Sequence, residues 1–319
     1  MRSRMTIAFC STLTTAAVFL SVSYLPAQEP SVTALVPVTM TVTANVDSDK
    51  RMPEIDQKDV LVKLGKEPLQ VTEWAPAQGD RAGLDLFILI DDASDTSLGM
   101  HLDDLRTFIN AQPTTTSVGV GYMRNATVQI VQNFTTEHAK AAKALRLPMG
   151  SVGAYASPYL SLVDLLKRWP ENHNRREVLM VTDGIDRARG GPRWRGLNTN
   201  PDVDSASDVA QSAGIIIHTI YAPGRGRLHR NYWEASNGQM GLAKLSDETG
   251  GESFFLGLQS PVSFQPYLDE LQKILDNQYL LSFSANPRKR VGLQYVTLTT
   301  EVAGVEFAAA DAVLVPAAK

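Results

Sequence analysis

The sequence holds a single cysteine in 319 residues. That excludes an internal disulfide and any cysteine-rich zinc or iron–sulfur site. Charge of one sign is also scarce: 30 Lys and Arg stand against 34 Asp and Glu, a net charge of −4. A general nucleic-acid binder needs a basic footprint that this balance does not supply. There is no glycine-rich phosphate loop of the GxxxxGKS/T type, no HExxH and no GxSxG. The five histidines, His101, His138, His173, His218 and His229, show no metal-ligand spacing. His218 lies inside an apolar run and reads as a core histidine. No repeat or low-complexity stretch is present, and the ordinary composition excludes collagen, coiled coil and disorder.

The N-terminus carries the one long apolar stretch. Arg2 and Arg4 precede residues 7–22, which are mostly apolar and small, and Ala27 offers a small residue for cleavage. This is the layout of a secretory signal peptide. The stretch is shorter than the roughly 20 residues of a spanning helix, so cleavage is preferred to retention as an anchor. Loss of residues 1–27 removes Arg2, Arg4 and Cys10, leaving about 290 residues, no cysteine and a net charge of −6. The expected product is secreted to the periplasm, cell envelope or exterior, with no stable membrane span.

Beyond this segment come strands, then alternating strands and helices, then strands again. Residues 36–46, 58–63 and 68–74 read as strands, with Gly65-Lys66 as a turn. From residue 84 the pattern changes: LDLFILI ends at Asp91, a helix spans 98–110, and strands at 117–123 and 126–134 flank a turn at Arg124-Asn125. Helices at 137–145 and 158–168 lead to EVLMVT, which ends at Asp183. A helix at 203–212, the strand 214–221, a helix at 239–248, a short strand at 252–256 and a helix at 262–276 complete the block. Residues 279–285, 292–302 and 304–315 are again strands. Alternation implies a doubly wound, mostly parallel six-stranded α/β sheet. The flanking strands are too few on either side to bury a face alone, so they are expected to pair into a small β-sandwich. The expected division is signal peptide 1–27, N-terminal β segment 28–80, α/β domain 81–277 and C-terminal β segment 278–319 pairing with 28–80.

In an open α/β sheet, ligands bind beyond the carboxyl ends of the strands where strand order reverses. Two buried strands end there in carboxylates, Asp91-Asp92 and Asp183. In a 3-2-1-4-5-6 order these strands are neighbours and their tips converge. Close carboxylates repel unless protonated or sharing a cation, and a hard divalent ion with oxygen ligands is one solution. Asp-Gly after a strand is also ordinary turn chemistry.

A buried strand ending in Asp, Ser/Thr-rich residues after it, a later strand ending in Thr182-Asp183-Gly184, and LAKLSDETGG at 242–251 together resemble a von Willebrand factor A domain over residues 84–277. The N-terminal β segment and the QYLL strand at 278–281 resemble secreted bacterial proteins related to that family. The resemblance implies a metal-ion-dependent adhesion site built from Asp-x-Ser-x-Ser, a later-loop Thr and the Asp of Thr-Asp-Gly. Carried over, Asp91 is the first ligand, Ala93 and Asp95 stand at the Ser positions, Ser157 is the hydroxyl of a loop without Thr, and Asp183 is the last ligand. A one-residue shift would use Asp92, Ser94 and Thr96, but on the opposite pleat. Ala93 leaves two readings open: a harder site holding Mg2+, Mn2+ or Ca2+ through Asp91, Ser94, Asp95, Ser157 and Asp183, or a degenerate site without metal.

Two loops on the same edge are rich in arginine and aromatics. One carries Arg187, Arg189, Arg193, Trp194 and Arg195; the other carries Arg225, Arg227, His229 and Arg230 before Tyr232 and Trp233. Arg with Trp and Tyr is the composition of protein-binding hot spots, so these loops are a candidate ligand rim. The plainer reading is a pair of solvated loops. The resemblance implies a non-enzymatic adhesion or ligand-binding module with a protein partner and no catalytic residues. The alternatives are a metal-assisted phosphatase or hydrolase using Asp91 as nucleophile, against which Ala93 stands two residues on, and a metal-free structural envelope protein.

Overall fold

LDLFILID forms the centre of a six-stranded sheet because it is apolar on both faces. In the computed structural model the described residues are 35–46, 52–150, 156–172, 174–187, 200–224, 231–255, 257, 261–287 and 291–317. Residues 1–27, the expected signal segment, lie outside them. Four strands come first: β1 (Val36–Val46), β2 (Val60–Leu64), β3 (Glu67–Leu69) and β4 (Val71–Pro76). The α/β block comes next: β5 (Leu84–Asp91), α1 (Leu102–Ala111), β6 (Thr116–Arg124), β7 (Thr127–Thr135), α2 (His138–Lys143), α3 (Pro158–Leu166) and β8 (Arg175–Thr182). It continues with α4 (Pro201–Ala213), β9 (Ile215–Tyr221), α5 (Tyr232–Thr249), β10 (Ser253–Phe254) and α6 (Gln265–Asp276). Four strands close the chain: β11 (Gln278–Ala285), β12 (Gly292–Thr300), β13 (Val305–Ala309) and β14 (Ala312–Val315).

The central sheet runs β10-β9-β8-β5-β6-β7. Counted within the block, that is the 3-2-1-4-5-6 order, with β7 the one antiparallel member. Every residue of β5 is buried, as a strand covered by helices on both faces must be. Phe87 needs space on the neighbouring strand, and Gly119 and Gly121 of β6 provide it: a Cβ on Gly119 would lie 2.6 Å from the Phe87 ring. Helix starts follow local chemistry. Ser157, Asn200 and Asn231 cap α3, α4 and α5 through their side chains. Parallel wiring directs all three of these helix N-termini to the carboxyl edge of the sheet.

The two terminal β segments interleave. One sheet runs β13-β1-β11-β4 and the other β14-β12-β2-β3, each mixing strands from both ends of the chain. Val38, Met40, Val42, Val62, Leu64, Leu281, Phe283, Val313 and Val315 share one buried core between them. Trp74 stacks on Tyr279 at 4.5 Å, and its indole N–H donates to the Ile55 carbonyl at 3.0 Å. Arg175 ties this frame to the block, donating to the Leu275 carbonyl at 3.1 Å and to the Gln278 side chain.

Four local expectations are corrected. The strands expected at 68–74 and 304–315 each break in two, so that β3 and β14 join one sheet while β4 and β13 join the other. Period-two alternation continues through such a corner and does not reveal the change of sheet. The hairpin turn is Asn125-Ala126, both at positive φ of 50° and 59°, one residue later than expected. The helix expected at 239–248 begins at Tyr232. Gly238, in the added part of this helix, packs so closely that a Cβ there would lie 2.2 Å from the Asp183 carbonyl oxygen.

Candidate functional site

The ends of β5 and β8 lie side by side, with Ile90 opposite Val181 in parallel register. One strand then continues into Asp91 and the other into Thr182-Asp183. Asp91, Thr182 and Asp183 are all buried. Thr182 donates its hydroxyl to Asp91 Oδ2 at 2.8 Å, and the Ala93 N–H donates to Asp91 Oδ1 at 2.8 Å. Asp183 Oδ1 accepts the Ile185 N–H at 2.9 Å. Arg187 Nη2 donates to Asp183 Oδ2 at 2.6 Å. That arginine side chain is only 9% exposed.

Residues 184–187, which follow Asp183, are held from several directions. Gly184 adopts φ +68°, and a Cβ there would meet the Gly238 carbonyl oxygen at 2.5 Å, so glycine is required twice over. Tyr159 donates its hydroxyl to the Gly184 carbonyl at 2.9 Å. The Arg187 backbone N–H donates to the Ala156 carbonyl at 2.7 Å, joining this loop to the start of α3. Gly224 closes the other side: a Cβ there would lie 2.1 Å from Asp183 Oδ2 and 3.1 Å from Arg187 Nη2. Ser94 pairs with Gly224 in a short antiparallel bridge.

The electrostatics follow from this enclosure. Burial, then the charge of Asp183, push the Asp91 carboxyl up to about 6, against the hydrogen bonds from Ala93 and Thr182 and the charge of Arg187. Burial works against the Arg187 charge, but Asp183 and Asp91 outweigh it and hold the guanidinium above its ordinary value. Asp92 belongs to a different pair on the other pleat. Arg146 grips it through both guanidinium nitrogens at 2.7 and 3.1 Å and lies 3.8 Å over the Tyr122 ring.

The expected site residues therefore separate. Asp91 and Asp183 converge, and Ser157 joins Asp91 in lining a small cleft with Met123, Asn125 and Ala126. The cleft has room for about one water molecule. Ser157 Oγ accepts the Leu160 N–H at 3.3 Å as a helix cap. Asp95 accepts the Ser97 N–H at 2.9 Å and caps the turn Thr96–His101. Ser94 Oγ is buried without a hydrogen-bond partner among the described residues. Arg187, expected on the ligand rim, points inward to Asp183. The rim residues Arg189, Arg193, Trp194, Arg225, Arg227 and Arg230 lie outside the described residues. Tyr232 and Trp233 form the first turn of α5 and are exposed.

The resemblance implies a divalent cation here, and with the Arg187 guanidinium on Asp183 the donor set does not fit one. All four carboxylate oxygens of Asp91 and Asp183 accept hydrogen bonds from the protein. Ala93 has no donor atom, and Asp95 and Ser157 are engaged as caps. Among the described residues, no group of three His, Cys, Asp or Glu could hold a metal. Motif reading named Thr182 only as part of the strand end, without its bond to Asp91, and missed the inward role of Arg187. Residues 183–187 are not helical, so the four-residue spacing carried no signal for the latter.

A sheet of this order, with its hairpin after the first helix and carboxylates at the tips of the first and fourth strands, is the arrangement that the resemblance to a von Willebrand factor A domain implies. No protein-family model matches the chain, and no curated protein matches it. Solved structures do. A von Willebrand factor type A protein from Catenulispora acidiphila is similar over 88% of this chain and 73% of its own, at 9% identity and TM-score 0.45. An aerotolerance-related membrane protein from Bacteroides fragilis covers 61% of this chain and 99% of its own, at 10% identity and TM-score 0.43. The vWF domain of the type V pili tip protein Mfa5 from Porphyromonas gingivalis covers 59% and 93%, at 10% identity and TM-score 0.41. Among the described residues no helix is long and apolar enough to cross a membrane.

Proposed function

We propose that this chain is a non-enzymatic protein-binding module, exported behind residues 1–27, that engages its partner through the carboxyl edge of the α/β sheet. One observation carries the reading: large apolar side chains are exposed on the loops and helix starts of that edge. Met100 and Trp233 are each 73% exposed, and Leu147, Met149 and Tyr232 are exposed on loops and helix starts of the same rim. Exposed apolar residues grouped at a ligand-binding edge mark interaction surfaces, and aromatic side chains with arginine dominate binding energy at such surfaces.

Residues 147–149 of this edge are also held in shape for binding. Leu147 packs over Gly99, and the Met149 N–H donates to Asp92 Oδ1 at 2.9 Å. A preorganised surface loses less freedom when a partner docks. The phosphatase reading asks Asp91 to attack a phosphorus atom. Both of its oxygens are already engaged by Ala93 and Thr182, and the side chain is buried.

The test is capture from envelope extract of the producing cell with the full exported chain. The double variant Tyr232→Ser with Trp233→Ser is compared with Tyr295→Ser, whose tyrosine is 77% exposed on the β-sandwich. A partner retained by wild type and Tyr295→Ser but lost by the rim variant supports the reading. Equal retention by all three, or turnover of a generic phosphate ester that depends on Asp91, overturns it.

A further inference from the structure

We infer that Arg187 is the resident cation of this site: its guanidinium takes the place of a divalent metal at the two strand-end carboxylates, so the site works without divalent ions. Asp91 and Asp183 are brought together at the tips of adjacent strands and buried. Such a pair needs a compensating positive charge within the fold. Arg187 provides one from four residues downstream, with Nη2 2.6 Å from Asp183 Oδ2 and Nη1 3.3 Å from the Ile185 carbonyl.

Its position matches the meeting point of the three loops that would otherwise supply metal ligands. Its own backbone N–H reaches the Ala156 carbonyl, next to Ser157, at 2.7 Å. Its side chain reaches the carboxylate after β8. The Ser94–Gly224 bridge carries the loop after β5 across the pair. Gly224 is a cradle shaped for this guanidinium and carboxylate, since a Cβ there would strike Asp183 Oδ2 at 2.1 Å and crowd Arg187 Nη2 at 3.1 Å.

The ligand count supports the exchange. A hard divalent ion takes about six to eight oxygens. Here the first Ser position is Ala93, and the caps engage Asp95 and Ser157. A charge-assisted hydrogen bond to a fixed guanidinium needs none of these donors. Folding at this edge therefore responds to neither chelators nor added divalent ions. This inference is independent of the protein-binding reading, because its test reads stability and no partner enters it.

The test is thermal unfolding of the full exported chain with EDTA, or with Mg2+, Mn2+ or Ca2+ in the millimolar range. Wild type is expected to melt at one temperature in all four conditions. Arg187→Ala leaves two buried carboxylates uncompensated and is expected to melt on the order of 10 °C lower. A divalent ion should recover part of that loss in a saturable manner. Arg187→Ala with Asp183→Asn, which removes the charge that needs pairing, should show no such recovery. Arg187→Lys, which keeps a positive charge, guards against failure of the alanine variant to fold. It should melt closer to wild type and stay insensitive to the ions. A stoichiometric divalent-ion response in wild type that Asp183→Ala abolishes overturns the inference. So does an Arg187→Ala protein that folds but shows no greater ion response than wild type.

Discussion

Replacing Asp91 by Asn should stabilise this protein at neutral and alkaline pH, and the gain should disappear in acid. The substitution keeps the side-chain shape. Its carbonyl oxygen can still accept the Ala93 N–H, and the Thr182 hydroxyl can turn to accept from the new amide. What it removes is a charge that the fold holds at a cost. Burial first, and Asp183 second, raise the Asp91 carboxyl from its ordinary 3.8 to about 6. The ionised form is therefore disfavoured in the folded state by about 3 kcal/mol relative to the protonated form. Because the folded value lies above the unfolded one, the folded protein binds the extra proton between about pH 6 and pH 4. This group's contribution to stability thus grows as pH falls through 6, is complete below about 4, and is lost above 6. The amide of Asp91→Asn does not titrate and has no such dependence. At pH 8 the variant should be more stable than wild type by about 1–3 kcal/mol, or roughly 3–8 °C in Tm. By pH 4.5 most of that difference should be gone. Urea unfolding followed by tryptophan fluorescence at pH 4.5, 6 and 8 measures both numbers, with Trp74 and Trp169 as packed reporters. A variant no more stable than wild type at pH 8, or an advantage that does not shrink toward pH 4.5, would refute this explanation. The expected outcome would also mean that the charge of Asp91 is retained against stability, as for a residue kept for binding.

Three further outcomes are expected. Arg146→Lys loses the two-pronged grip on Asp92 and the stacking over Tyr122, costing about 1–2 kcal/mol. Hydrogen exchange should accelerate at the Met149 and Gly150 amides, which bond to the Asp92 side chain and carbonyl; unchanged exchange there would mean that the rim does not depend on this pair. Gly224→Ala drives a methyl group into the Asp183–Arg187 pair and should cost about 2–3 kcal/mol, read as a lower urea midpoint. His218 accepts the Glu252 N–H on Nδ1 and donates from Nε2 to Glu177 at 2.8 Å, with both side chains fully buried. His218→Leu alone strands the Glu177 carboxylate and should cost about 3–5 kcal/mol, whereas adding Glu177→Leu should restore much of the loss; additive losses in the double variant would show that the two side chains are not coupled.

Much of the architecture was legible in the sequence. A largely apolar run such as LDLFILI suits burial between two helical layers, and each such run here is one strand of the central sheet. Alternating strands and helices leave few topologies, and the observed order places the tips of β5 and β8 together. The His218 ring, read as a core histidine, is buried and bonded on both nitrogens. The start of α5 was not legible, because Gly238 weakens helix propensity and is accepted for its packing against Asp183.

Local periodicity and the length of apolar runs were enough to say which residues lie on strands and which strand ends carry carboxylates. What each carboxylate does emerged only from packing. Asp91 and Asp92 are adjacent, yet one meets Thr182, 91 residues away, and the other meets Arg146, 54 residues away. Alternation along a strand sends neighbours to opposite faces, and the partner waiting on each face comes from a distant segment. The same holds for Arg187. Its charge was visible as part of a basic loop, but whether a guanidinium points to solvent or into a buried carboxylate depends on the enclosure around it. Here Gly224, Tyr159 and Ala156 build that enclosure from separate segments of the chain.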